Sequence, residues 1–242
     1  MDPRGRAATV AAMDEGRANA PMKSALVIGA SGGIGAALAS ALRQRGVSVT
    51  GRSRSTDGLD VTDEDSVAKV LGGLEGPFEL VFVATGALEV RGAAPEKSLS
   101  ALTTAAMADQ FAVNCIGPAM VLKHAVRLLP RERRAVFAAL SARVGSIGDN
   151  RLGGWHSYRA AKAALNQVIR GAAIELSRTH PHAVCLALHP GTVKTAFTQK
   201  YLGRHPAVEP AAAAENLLRV IHSLGAAESG SFHDWAGSVI PW

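Results

Sequence analysis

Aromatic residues make up only 5% of the 242-residue chain, too few for the stacking platform on which single-stranded nucleic acids are held. Charge is also sparse, at 19%, and the net +6 is scattered rather than gathered in one run. The densest basic cluster, Arg131-Glu132-Arg133-Arg134, contains an acid and reads as a solvated turn. No nucleic-acid partner is expected, and a basic balance equally suits binding of a phosphorylated small molecule. No stretch approaches the roughly 18 consecutive apolar residues of a membrane span, which argues against a membrane partner. Cysteine is nearly absent: Cys115 and Cys185 lie in apolar surroundings and have no metal-ligand spacing. They read as buried reduced thiols, the state kept in a cytoplasm, where the protein is expected. The eight histidines show no paired metal spacing, and His180 and His182 flank a proline, the mark of a turn.

What is there is an ordinary α/β composition, 48% hydrophobic with 25 glycines and 11 prolines, in a chain long enough for one substantial core. Residues 1–21 stand apart. They are rich in Ala and Arg, lack apolar periodicity and have no signal-peptide h-region, while Asp2, Asp14 and Glu15 argue against a transit peptide. Since Met22-Lys23 directly precedes the first apolar run, residues 1–21 are expected to be a disordered tail or to precede a biological start at Met22. From Ser24 short apolar runs alternate with longer helical patterns, as in a parallel sheet covered on both faces. Strands are expected at Ser24–Ile28, Val47–Thr50, a short one at Asp60-Val61, then Leu80–Val83, Ala135–Leu140, Ala183–Leu188 and an edge strand near Phe232. Helices are expected up to about Arg45, over Asp63–Leu71 with Thr62 as cap, over about 101–129 and 155–179, and over Pro210–Leu224. Without internal repeat or interdomain linker, residues 22–242 read as one doubly wound parallel sheet, the Rossmann arrangement.

Two motifs carry chemistry. The run Ile28-Gly29-Ala30-Ser31-Gly32-Gly33-Ile34-Gly35 follows the first strand and opens the first helix. Glycines in such a bend permit a tight turn and close approach of a pyrophosphate, whose charge a helix N-terminus favours. A glycine cluster can be a plain structural turn, but strand-turn-helix context favours a nucleotide site. About 20 residues further on, NAD-binding folds place an acid against the ribose 2′-hydroxyl. Here Val49-Thr50-Gly51-Arg52-Ser53-Arg54 offers no acid and two arginines. A guanidinium binds a 2′-phosphate through charge-assisted hydrogen bonds, so Arg52, with Arg54 as second candidate, points to NADP rather than NAD. The alternative is that both are solvated loop residues. The second motif is Tyr158 and Lys162, four apart and so on one helix face. A phenol of ordinary pKa, about 10, is a poor proton donor or acceptor at neutral pH. An ammonium beside it favours the phenolate, although Tyr and Lys also fall four apart on many solvated helices.

Taken together, Gly29, Gly33, Gly35, Tyr158 and Lys162 resemble the short-chain dehydrogenase/reductase family, from about Ser24 to near the C-terminus. The run from Ser141-Ala142-Arg143-Val144-Gly145 to Gly153-Gly154-Trp155, and the ending Ser238-Val239-Ile240-Pro241-Trp242, resemble its C-factor-like branch. The resemblance implies hydride transfer between a nicotinamide and a carbonyl or secondary alcohol. Tyr158 would be the general acid in reduction and the base in the reverse direction, and Lys162 would hold the nicotinamide ribose and lower the phenol pKa. Asn114, in Val113-Asn114-Cys115-Ile116-Gly117, would help hold a relay water through its backbone. Ser31 and Ile34 join the glycines as cofactor contacts, Asp60 and Val61 meet adenine, and the segment Pro190–Thr195 holds the nicotinamide amide through Val193 and Thr195.

Two matches depart from the family pattern. Its Asn-Asn-Ala-Gly is Val83-Ala84-Thr85-Gly86 here, with Gly86 still allowing close approach of the cofactor. Its Ser-Ser-x-x-Gly is Ser141-Ala142-x-x-Gly145, and the second serine normally polarises the substrate carbonyl. Ser141 is the first candidate to replace it, provided the strand has ended or twisted, since adjacent strand residues face opposite ways. Ser146 is another candidate. Thr198 to Pro206 should cover the pocket, with Trp155, His156, Tyr201 and Leu202 as lining. These departures leave open a second reading, a cofactor-binding sensor or scaffold with weak catalysis. The family's association through its two long helices implies a homodimer or homotetramer, here through the apolar faces around Ala119–Leu129 and Ala163–Ile174.

Overall fold

The computed structural model describes residues 22–196, 198–202 and 207–242. The expected tail (residues 1–21), Phe197 and part of the expected cover (residues 203–206) lie outside the described residues. Six strands form one parallel sheet: β1 (Ser24–Ile28), β2 (Ser48–Arg52), β3 (Leu80–Val83), β4 (Ala135–Leu140), β5 (Ala183–His189) and β6 (Ser231–Asp234), in the order β2-β1-β3-β4-β5-β6. The four inner strands are almost wholly apolar because helices cover both faces and leave them no solvent side. Alternate residues feed two cores. Val27, Phe82, Ala138 and Leu186 pack under α1 (Gly33–Gln44) and the C-terminal helix Pro210–Ser223. Leu26, Val81, Phe137 and Cys185 pack under the helices of the opposite layer.

Between β2 and β3 the chain departs from expectation. Residues 60 and 61 form no strand, because the Asp60 carboxylate accepts from both the amide and the hydroxyl of Thr62, at 2.9 and 2.7 Å. A side chain that bonds its own backbone two residues on closes a turn instead of joining a ladder. After a single helical turn, α2 (Arg54–Asp57), the helix α3 (Glu64–Gly72) is capped by Asp63, whose carboxylate accepts from the Asp65 amide, and not by Thr62.

The opposite layer is completed by α4 (Thr104–Phe111), a π turn at Ala112–Ile116, α5 (Gly117–Ala125) and the long α6 (His156–Leu176). The run Thr104–Leu128 is long and apolar enough to cross a membrane by length and composition. Here α5 packs against α3, and α4 and the π turn pack against α6. The start of α6 is held from a distance. Trp155 sits before it at φ 49°, a left-handed backbone without a capping side chain. The buried Glu96 caps the helix instead: its carboxylate accepts from the Ser157 amide at 3.2 Å and from the Ser157 hydroxyl, and its carbonyl accepts from the Trp155 amide.

Burial pulls the Glu96 carboxyl upward, but the hydrogen bonds from Ser157 outweigh it and hold the group below its usual range. A depressed folded-state pKa stabilises the fold above the unfolded value, about 4.3, and that stability fades as pH falls through the folded value. Glu96→Gln is therefore expected to lower the urea midpoint at pH 7. The gap from wild type should shrink at pH 3, and an equal gap at both pH values would refute it.

Candidate active site

Where strand order reverses, between β1 and β3, the crevice at the C-terminal strand ends is the natural ligand position of an open α/β sheet. Two cavities of about 600 and 290 Å³ open there and share Ala84, Thr85 and Gly86 at the end of β3. The turn after β1 shows why glycine is needed. Gly29 takes φ 83°, and a Cβ on Gly35 would stand 2.2 Å from the Gly29 carbonyl oxygen. Gly33 lies against Thr195, whose methyl would be 2.7 Å from an added Cβ, so the bend touches the segment after β5. Gly29 and Ser31 face the larger cavity, and Gly33 and Ile34 the smaller. Gly35 is the packing residue behind them.

The larger cavity also holds Asp60, Val61 and Arg54. The Thr62 hydroxyl and amide, with the Arg54 charge as a lesser cause, hold the Asp60 carboxyl below its usual range. The two arginines lie in different settings. Arg52 folds back, donating to the Gly51 carbonyl at 2.8 Å and lying 3.5 Å from the Asp57 carboxylate, whereas Arg54 lines the cavity.

Tyr158 and Lys162 share one face of α6 and the smaller cavity, at 6% and 2% exposure. Lys162 Nζ donates to the Leu140 carbonyl at 2.8 Å and lies 5.8 Å from the centre of the Tyr158 ring. The expected lowering of the phenol pKa is not found. Burial raises it and pulls Lys162 down to about 7, because desolvation penalises the charged form of each. Asn114 is wholly buried in the π turn, a helical irregularity that recurs at functional sites. Its side chain exchanges bonds with Ala87, Nδ2 donating at 2.8 Å and Oδ1 accepting at 3.1 Å, and so pins the segment after β3. Gly86 sits just above: a Cβ there would be 3.0 Å from Asn114 Oδ1 and 3.5 Å from Lys162 Nζ.

Pro190, Val193 and Thr195 line the smaller cavity with Ser141 and Ala142. Strand β4 ends at Leu140, and the Ser141 hydroxyl turns to α6, donating to Asn166 Oδ1 at 2.7 Å. The Ser146 hydroxyl donates to the Pro241 carbonyl. Neither hydroxyl is free for a substrate in this arrangement. Trp155, His156, Tyr201 and Leu202 are absent from the described lining. Trp155 instead packs edge-on against both Tyr158 and Tyr201, and the Tyr201 hydroxyl donates to Glu89 at 2.6 Å. Three residues escaped the sequence reasoning. Thr85 and His189 line the smaller cavity with a buried polar atom unpartnered among the described residues, and Glu96 caps α6. Thr85 enters the sequence reading only as a departure, and His189, between the expected strand Ala183–Leu188 and Pro190, is not singled out there.

A family model described as Enoyl-(Acyl carrier protein) reductase matches residues 29–227. The chain is 31% identical over 236 residues to a 1-hydroxy-2-glutathionyl-2-methyl-3-butene dehydrogenase of Rhodococcus sp. (strain AD45), covering 91% of this chain and 100% of that one. It is 36% identical over 141 residues to the C-signal of Myxococcus xanthus, covering 56% and 78%. The NADPH-bound carbonyl reductase from chicken fatty liver has the same fold, with a TM-score of 0.77 at 22% identity, covering 95% and 97%. The chain belongs to the short-chain dehydrogenase/reductase family of oxidoreductases, and within it to the C-factor-like branch.

Since the atom facing position 35 is backbone, Gly35→Ala forces the bend itself to move. Overpacking of this kind costs about 1–3 kcal/mol or more. A urea midpoint unchanged from wild type would contradict the packing described.

Proposed function

We propose that the protein is an NADP(H)-dependent oxidoreductase that interconverts a carbonyl and a secondary alcohol, with Tyr158 as general acid and base. One observation carries this reading: buried Tyr158 and Lys162 face the same cavity as Gly33, Gly86 and Thr195, beside a bend that leaves no room for a Cβ at Gly35. The residues fit a dinucleotide. The glycine bend leaves room for a pyrophosphate at the N-terminus of α1, the unpartnered Thr85 hydroxyl offers a hydrogen bond between the two cavities, and Arg54 offers a guanidinium for a 2′-phosphate. Bound NADP(H) supplies or accepts the hydride. In reduction the carbonyl carbon gains that hydride and the oxygen gains the Tyr158 proton, giving the alcohol.

Burial, which keeps the phenol protonated, suits the acid role. In the oxidative direction the same group must first lose its proton. Reduction is therefore expected to hold its rate across neutral pH, while alcohol oxidation climbs toward alkaline pH. Ala142 and the engaged hydroxyl of Ser141 favour a second reading, a cofactor-binding protein with weak catalysis. NADPH binding without turnover on a broad carbonyl panel would support that alternative.

Two substitutions test the leading reading. Tyr158→Phe should lower kcat by about 10²–10⁴-fold while NADPH affinity, followed by fluorescence titration, stays within a few fold. Retained turnover would overturn the assignment of the acid. Arg54→Ala should weaken NADPH binding by about tenfold or more, as for loss of a charge-assisted hydrogen bond, and leave NADH unchanged. Arg52→Ala should do less, and the opposite ranking would return the 2′-phosphate to Arg52.

A further inference from the structure

Strand β5 ends at His189. Leu188 pairs with Leu140, and the Ser141 amide donates to the Leu188 carbonyl at 2.8 Å, so His189 stands next to Ser141 and opposite Asp234 of β6. Cys185 and Ala187 belong to the core on the α6 side of the sheet, and strand alternation sends His189 to that same side. There it lines the smaller cavity with Tyr158, Lys162 and Ala142. Among the described residues no hydrogen bond reaches either ring nitrogen, and Nδ1 is buried as well.

Most of the other side-chain donors of this cavity are engaged within the protein. Ser141 donates to Asn166, and Thr198 to the Val193 carbonyl, with Thr195 Oγ1 3.3 Å from Thr198 Oγ1. Lys162 donates to Leu140, while the Thr85 hydroxyl, unpartnered among the described residues, belongs to a residue that also lines the larger cavity. A carbonyl oxygen that receives a proton from Tyr158 gains from a second donor fixed in advance. Ala142 supplies none. We propose that His189 Nε2 donates this second hydrogen bond to the substrate carbonyl oxygen, an inference that rests on the oxidoreductase reading above.

The imidazole is suited to the task. Burial, with the Arg143 charge acting the same way and Asp234 opposing, holds its pKa down near 4, so the ring is neutral at working pH. A neutral imidazole carries one N–H, and a buried lone pair at Nδ1 is tolerated better than a buried N–H without partner, which puts the proton on Nε2. A neutral imidazole can polarise a carbonyl and keep its proton, leaving proton transfer to Tyr158.

The test uses the full chain with NADPH and 4-nitrobenzaldehyde as first probe in an aldehyde and ketone panel. His189→Leu should lower kcat by about 10²-fold, as for loss of one donor to a developing oxyanion. Its KM and NADPH affinity should stay within a few fold, and its thermal midpoint should not fall, because no hydrogen bond within the protein is lost. Ala142→Ser in the His189→Leu background should recover at least tenfold of the loss by restoring a hydroxyl donor, and His189→Asn should retain more activity than His189→Leu. A kcat for His189→Leu within threefold of wild type overturns the proposal. So does a fall in kcat matched by weaker NADPH binding or a lower thermal midpoint, or a loss that neither Ala142→Ser nor His189→Asn relieves. A wild type that binds NADPH but reduces nothing on the panel sinks the parent reading as well, which separates the two failures.

Discussion

The hydrogen bond from Lys162 Nζ to the carbonyl of Leu140, at 2.8 Å, fixes the geometry on which the crevice depends. An amine only 2% exposed must find an oxygen or give up its charge, and the last residue of β4 provides one. The bond ties the middle of α6 to the end of the sheet and sets the height of Tyr158, one turn earlier, above the same strand ends. Neighbouring glycines keep that approach possible. At Gly145 an added Cβ would stand 2.7 Å from the Lys162 Cβ, and at Gly86 it would crowd Asn114 and the amine. The π turn, Gly86, Gly145 and the start of α6 are thus parts of one packing arrangement around a buried amine.

A second tie runs through the C-terminus. The Gly148 amide donates to the Trp242 carbonyl at 2.7 Å, the Ser146 hydroxyl to Pro241, and the Trp242 ring stacks on Phe232 at 6.0 Å. Two stretches that seemed unrelated along the chain, 141–155 and 238–242, therefore support each other. Arg143 adds an ionic link, 2.6 Å from Asp149 and 3.6 Å from Asp234, across the β4 and β6 strand ends. Exposed ion pairs contribute little stability, so the effect of these contacts is to hold the loop between β4 and α6 against the C-terminal residues and the end of β6.

Inner strands and long helices were legible in the sequence because both faces of the sheet are buried, which writes continuous apolar runs separated by glycine bends. The glycine turn, Tyr158 and Lys162 were legible because each chemistry needs fixed residue types at fixed local spacing. What was not legible was set by side chains meeting across space. Asp60 closes a turn through Thr62 where periodicity pointed to a strand. Arg52 is drawn back by Gly51 and Asp57 and leaves the cavity to Arg54. Ser141 bonds Asn166, 25 residues later, and Glu96 caps a helix that begins 60 residues after it. The phenol pKa could not be read from an i, i+4 spacing either. Spacing fixes proximity, while the sign of the shift depends on how deeply both groups are buried.

The two ends of the crevice solve different electrostatic problems. At the glycine-bend end the chain offers backbone amides, a helix N-terminus and Arg54 beside Asp60, a polar setting in which charge is welcome. At the α6 end, Tyr158, Lys162 and His189 are all driven toward neutral forms by burial. Charge that develops there in a reaction meets few mobile countercharges, so fixed dipoles and donors set its energy, and each acts more strongly than in water. On the proposed reading, that is why one missing hydroxyl at Ala142 matters, and why an imidazole three strand ends away from the glycine bend, kept neutral and without a partner among the described residues, carries weight that its place in the sequence did not announce.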